Sequence, residues 1–150
     1  MKILTTRFGE VEVEDNQIVT MPEGVIGFSE YKRYALLDHS PESPFKWFQS
    51  VEVPDLAFAV IDPFPFVPDY KVDLKKSDLA FLDAEDPSDT LILVFVSIKR
   101  ETSSVTANLL GPLVINLRNF NGKQVVLSDS PYSSSYDILQ HDSVSSPENA

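Results

Sequence analysis

Eleven prolines and five glycines are spread so evenly along this chain that few segments are long enough for an ordinary helix. Proline removes a backbone donor and costs a helix interior roughly 3 kcal/mol, so the chain must be built from short pieces. Between the breaks the residues are β-branched and aromatic and alternate with period two, the signature of half-buried strands. Val11 and Val13 alternate with Glu10, Glu12 and Glu14, which predicts one apolar and one carboxylate-lined strand face. After a turn at Asp15-Asn16, residues 17–21 read as the next strand. A loop follows at Pro22-Glu23-Gly24 and Gly27, whose glycines suit positive φ.

Residues 34–38 predict a short strand, and 45–52 with 56–61 a hairpin joined by Val53-Pro54-Asp55. Residues 62–68 hold three prolines and are excluded from any central strand. Residues 70–74 alternate again. Residues 77–82 are the best helix candidate, with Ser77 as N-cap and Asp86-Pro87 closing the segment. Residues 90–99 form the most apolar run and predict a central strand. Strands at 105–108 and 113–117 flank Gly111-Pro112, and Asn121-Gly122 signals a hairpin turn into 123–127. Nine or ten short strands with at most one or two short helices predict an all-β fold. The expected form is a small single-domain barrel-like structure or two-sheet sandwich. The domain is expected over residues 1–136. Residues 137–150, rich in Ser, Asp and Asn, are expected to be a disordered acidic tail.

Charge narrows the partners. Twelve basic against 23 acidic side chains give a net charge of −11, which offers no attractive field to DNA, RNA or an anionic membrane. A basic protein partner is steered in instead. The chain has no cysteine, which excludes disulfides, thiolate metal sites and a cysteine nucleophile and fits a reducing compartment. The longest apolar stretch, 91–96, is strand-sized, and no basic-then-apolar leader opens the sequence, so a soluble cytoplasmic protein is expected.

No constellation of catalytic residues emerges. His39 sits between Asp38 and Ser40, but neighbours on a strand point to opposite faces. There is no Gly-x-Ser-x-Gly elbow, no phosphate loop and no dinucleotide fingerprint. Asp83, Glu85, Asp86 and Asp89 lack calcium-loop spacing, so no metal is expected. Lys71, Lys75 and Lys76 alternate with Asp73 and Asp78, as on a solvated face. Two apolar segments ask for more explanation. Asp62-Pro63-Phe64-Pro65-Phe66 either folds back as a plug on the end of the β structure or presents an interface anchor. The run from Thr106 to Asn116 threads Asn108 and Asn116 through apolar residues, as at a bulge or a ligand-facing strand. The residues therefore argue for a non-enzymatic binding domain without a cofactor.

Motifs in order carry the reading further. Arg7-Phe8-Gly9-Glu10-Val11-Glu12-Val13 and Pro22-Glu23-Gly24-Val25-Ile26-Gly27-Phe28 resemble the opening of the flagellar assembly factor FliW family. Phe45-Lys46-Trp47-Phe48-Gln49-Ser50-Val51 and the segment from Leu56 to Phe64 continue the likeness. So do Thr106 to Asn116, Gly122 to Leu127 and Tyr132-Ser133. The resemblance implies a small β-barrel-like protein without catalysis. It further implies two cytoplasmic partners: flagellin, and the RNA-binding translational regulator CsrA, whose allosteric antagonism derepresses flagellin synthesis. A flagellin chaperone without the CsrA role is the alternative. Candidate contacts on this reading are Asp62, Pro63, Phe64, Asn108, Leu110, Pro112, Asn116 and Tyr132, with Glu10 and Glu12 supplying negative field. The chain departs from the family pattern at Ile26, at Gly111 and at Ser135-Tyr136-Asp137.

Overall fold

A computed structural model describes residues 1–99 and 101–138. Its strands are β1 (Lys2–Thr5), β2 (Gly9–Glu12), β3 (Ile18–Thr20), β4 (Arg33–Asp38), β5 (Phe45–Ser50) and β6 (Ala57–Ile61). They continue with β7 (Thr90–Lys99), β8 (Ser104–Ala107), β9 (Leu113–Asn116), β10 (Gly122–Gln124) and β11 (Tyr136–Asp137), and one helix, α1 (Lys76–Leu82), precedes β7. The fold is all-β, as the alternation predicts. β1 and β2 form a separate hairpin sheet, and the remaining nine strands form the main antiparallel sheet.

From β3 to β7 the main sheet is a meander of neighbours in sequence. β7 then carries two partners in line on its far edge, β8 along Val96–Lys99 and β9 along Thr90–Leu93. Residues 108–112 lie between them, opposite only Val94 and Phe95. β8 and β9 are thus one strand interrupted by a wide excursion of the backbone. β11 pairs with β8 and β10 with β9. The ends of the sheet meet at one point, where the Thr20 N–H donates to the Phe120 carbonyl at 2.9 Å and Thr20 bridges Asn121. A single bridge is not a ladder, so the sheet curls like a barrel without closing.

Alternation sorts the core into compartments. Val19, Met21, Tyr34, Phe48, Val60, Leu93, Leu113 and Ile115 point inward from six strands and the segment after β3. On the opposite face of β4, Ala35 and Leu37 are covered by Ile3 and Val13 from the hairpin sheet. That arrangement leaves Glu10, Glu12 and Glu14 exposed, as the sequence pattern requires. All of β9 is buried because Leu113 and Ile115 face the interior while Val114 lies beneath Leu82 and Ala84. α1 is pinned there by Asp78, whose carboxylate accepts from Lys123 Nζ at 3.0 Å and from the Lys75 N–H at 3.1 Å.

Several local expectations change. The helix starts at Lys76, because Asp78 reaches back to cap at Lys75 rather than Ser77 serving as the cap. Residues 70–74 pair with no strand; Tyr70 anchors the segment through its side chain instead. Asn121-Gly122 is not the turn: the chain reverses upstream, with Phe120 at φ 57, and Gly122 opens β10. The domain boundary expected after residue 136 falls within β11, since Asp137 pairs with Thr106 and Ile138 is buried. Residues 139–150 of the expected tail lie outside the described residues.

Tyr34 supplies a pH prediction. It is fully buried, stacks on Phe48 at 4.5 Å, and its hydroxyl has no hydrogen-bond partner among the described residues. Burial, reinforced by the Glu52 carboxylate, pushes its pKa up to about 12 from the ordinary 10. The unfolded chain therefore loses this proton first. The stability is whole below pH 10 and falls as pH rises toward 12, by about 2–3 kcal/mol for a shift of this size. Denaturant titrations at pH 9, 10.5 and 11.5 should show the decline, and Tyr34→Phe should make it shallower, the remainder coming from the buried Tyr70. An equal decline in that variant would remove Tyr34 as its source.

Candidate partner-binding site

The two apolar segments singled out in the sequence come together around Tyr70. In the first, Asp62 Oδ1 accepts the Phe64 N–H at 3.0 Å, and the Phe66 and Val67 N–H groups both donate to the Pro63 carbonyl. Proline-fixed dihedrals and this turn hold Phe64 at the surface, 39% exposed, with its ring 5.9 Å from Tyr70. Phe66 turns the other way, against the core cluster containing Ile61, Val94 and Leu109. The segment is both plug and exposed aromatic, one phenylalanine serving each.

In the second segment Asn108 leaves β8 and closes the excursion on itself. Its Oδ1 accepts from Leu110 N–H at 3.1 Å and Gly111 N–H at 2.9 Å. Leu109 is buried, and its carbonyl accepts the Tyr70 hydroxyl at 2.6 Å. Burial raises the Tyr70 phenol well above its ordinary range, so it stays a donor. Tyr132 packs edge-on against Tyr70 at 4.8 Å, and its hydroxyl accepts the Lys71 N–H at 2.8 Å. Asp62, Phe64, Asn108, Leu110 and Tyr132 are therefore parts of one surface. Pro63 and Pro112 belong to the same loops but are buried beneath it.

Three candidates lie elsewhere. Asn116 is fully buried: its amide donates to the Leu82 carbonyl at 2.9 Å and the Asp83 carbonyl at 3.2 Å, and its oxygen accepts the Arg118 N–H. It ties the end of α1 to β9 and offers nothing to a partner in this conformation. Glu10 and Glu12 stand on the hairpin sheet, exposed, with Lys2 3.7 Å from Glu10. His39 is exposed and its Nδ1 accepts from Trp47 Nε1 at 3.1 Å, while Asp38 pairs with Lys46, so no acid–base dyad forms.

Gln124 is a residue that sequence reasoning missed. Its Oε1 accepts the Ile26 N–H at 2.9 Å and its Nε2 donates to the Gly111 carbonyl at 3.0 Å, stapling the glycine loop to the excursion. A β-carbon at Gly111 would lie 3.0 Å from that Nε2, a tight contact to which the end of the Gln124 side chain would have to yield by a few tenths of an ångström. Only the alternation along β10, which places residue 124 on the face opposite Lys123, hinted at it. Beside this staple runs a groove of about 790 Å³, walled by Lys71, Leu74 and Lys75 on one side and by residues 123–132 on the other.

The family model described as FliW protein matches residues 2–138 of this chain. The chain belongs to the FliW family. It is 45% identical over 139 residues to the flagellar assembly factor FliW of Treponema denticola, covering 93% of this chain and 94% of that protein. It is 44% identical over 141 residues to that of Syntrophus aciditrophicus, with 94% and 89% covered. A crystal structure of the flagellar assembly factor FliW superposes with a TM-score of 0.83 at 34% identity, covering 92% of this chain and 96% of that one. Membership in the FliW family gives the chain a role in flagellar assembly, and its relatives are named as assembly factors rather than enzymes. Among the described residues no helix is long and apolar enough to cross a membrane.

Proposed function

We propose that this protein is a cytoplasmic, non-enzymatic regulator of flagellar assembly that binds flagellin and, when flagellin is absent, binds and antagonises the RNA-binding regulator CsrA. The observation that carries this reading is the convergence of Phe64 and Tyr132 on Tyr70, at one surface of a FliW-family chain whose net charge is −11. An acidic field speeds encounter with a basic RNA-binding protein and lowers that protein's affinity for phosphates once bound. A coupling of about 1–3 kcal/mol weakens RNA binding roughly 5–150-fold, enough to act as a switch.

The test is a titration of CsrA on the flagellin leader RNA with and without this protein, at two salt concentrations, followed by addition of flagellin. RNA affinity is expected to fall at least 5-fold, to fall less at high salt, and to recover when flagellin is added. Unchanged RNA affinity combined with intact flagellin binding would leave the chaperone role and remove the regulatory one.

A further inference from the structure

The tip of the β1–β2 hairpin is fastened to the main sheet at two places. At one, the Thr6 N–H donates to the Pro54 carbonyl at 3.0 Å and the Thr6 hydroxyl donates to Asp55. At the other, the Arg7 guanidinium lies over the Trp47 indole, 3.9 Å from the ring centroid. Trp47 stands on β5 directly opposite Leu37 of β4. It packs with Ile3, Val13, Ala35 and Leu37, the cluster that the hairpin covers. The second fastening therefore depends on how the indole is held.

One hydrogen bond holds it. The indole Nε1–H is a donor only, and Nδ1 of His39, just past the end of β4, accepts it at 3.1 Å. A neutral imidazole has a ring nitrogen able to accept, whereas in the imidazolium both nitrogens donate. Histidine is also the side chain that ordinarily changes charge between about pH 5 and 8. Protonation sets two N–H donors against each other. It also places a cation 6.1 Å, centroid to centroid, from the ring on which Arg7 rests. Asp38, next to His39, is engaged by Lys46 of β5, and Glu42 stands exposed in the following loop, where water and salt screen it. Carboxylates ordinarily titrate near pH 4 and keep their charge through the histidine range. On the hairpin itself, a proton gained by the Met1 α-amino group reinforces its 2.8 Å pair with Glu12, which tightens the hairpin rather than freeing its tip.

We propose that His39 is a proton-sensitive latch: neutral, it holds Trp47 as the seat for Arg7 and the hairpin tip, and protonated, it releases both. The contribution is present above the histidine range and is lost as pH falls through it. Glu10 and Glu12 stand exposed on this hairpin, so one proton governs how firmly that acidic face is held.

Trp47 is the only tryptophan in the chain, so its accessibility to acrylamide is read without interference. The full chain is compared at pH 7.5 and pH 5.5 with three variants. His39→Asn keeps an acceptor oxygen near the place of Nδ1 at either pH, and His39→Lys accepts at neither. His141→Gln alters the other histidine, which lies outside the described residues. In the wild type and in His141→Gln, acrylamide quenching is expected to rise at least about 2-fold at pH 5.5. Protection of the Thr6 amide against exchange is expected to fall at least about 3-fold. His39→Asn should show neither change, and His39→Lys should give the acid values already at pH 7.5. The latch is overturned by a wild type without the acid response, by a response kept in His39→Asn or lost in His141→Gln, or by wild-type values in His39→Lys at pH 7.5. Increased quenching with unchanged Thr6 protection overturns it as well, since the proton would then reach the indole without freeing the hairpin.

Discussion

Asn116→Asp is expected to cost about 3–5 kcal/mol at pH 7, the range for an uncompensated charge left in a protein interior. The change is isosteric, so packing is not the cause. The wild-type amide nitrogen donates to the carbonyls of Leu82 and Asp83, and the new carboxylate presents an oxygen to those same oxygens with no exposure to water. The Arg118 N–H is the one donor left to it. The sign of the pH dependence follows. Folding raises this carboxyl above its unfolded value of about 3.9, so the penalty is full at neutral pH and shrinks as acid protonates the folded form. With roughly 2–4 °C lost per kcal/mol in a domain of this size, the melting temperature should drop by about 10 °C. Denaturant curves of variant and wild type at pH 7 and pH 4 measure it. An equal difference at both pH values would mean that the lost amide donors, and not the buried charge, set the cost.

Gly122→Val is expected to destabilise by about 2–3 kcal/mol through overpacking. A β-carbon at this position would sit 2.7 Å from Met21 Sδ and 2.9 Å from Val19 Cγ1. A methionine end can usually bend away, but Met21 is fully buried and Val19 nearly so. The intrusion also strikes where the sheet ends meet, beside the Thr20–Asn121 bridge. Thermal melts of Gly122→Ala and Gly122→Val should show graded losses, the larger for valine. A loss in Gly122→Val fully restored by Met21→Ala would locate the strain at the sulfur. If Gly122→Val melts with the wild type, the close approach across the seam is not the reason for glycine here.

These two residues also show where sequence reading succeeds and stops. Strand identity was legible throughout β4 to β9 because alternation reports which face is buried. Asn121-Gly122 misled because the dipeptide that supplies a positive-φ turn also supplies a position without a β-carbon, and its neighbours in space lie a hundred residues earlier. Residues 70–74 alternate like a strand, but alternation records burial of one face and not the presence of a pairing edge. The surface around Tyr70 was half legible: Phe64, Asn108 and Tyr132 belong to motif segments, and a phenylalanine fixed by prolines is conspicuous. Asn116 looked similar to Asn108 in sequence, the two being separated by five apolar residues and a glycine-proline break. What separates them is α1, which covers one and not the other, and no local pattern records what packs on top. Gln124 was invisible for the same reason, since both of its partners are backbone groups from distant loops.

β7 runs through three of the four side-chain clusters. Leu93 belongs to the inward cluster, Val94 and Val96 to the cluster beneath Tyr70, and Ile92 packs against the cluster under α1. Among the described residues only the cluster under the β1–β2 hairpin contains no β7 side chain. Three of the four compartments thus share one strand, with the β1–β2 hairpin packed on the outer face of β4. Mutational drift in the excursion at 108–112, which borders Phe95 through the Asn108 N–H, reaches that shared strand. The hairpin is held to β4 through Ile3 and Val13, while Glu10 and Glu12 on its outer face are exposed and can change without disturbing that contact.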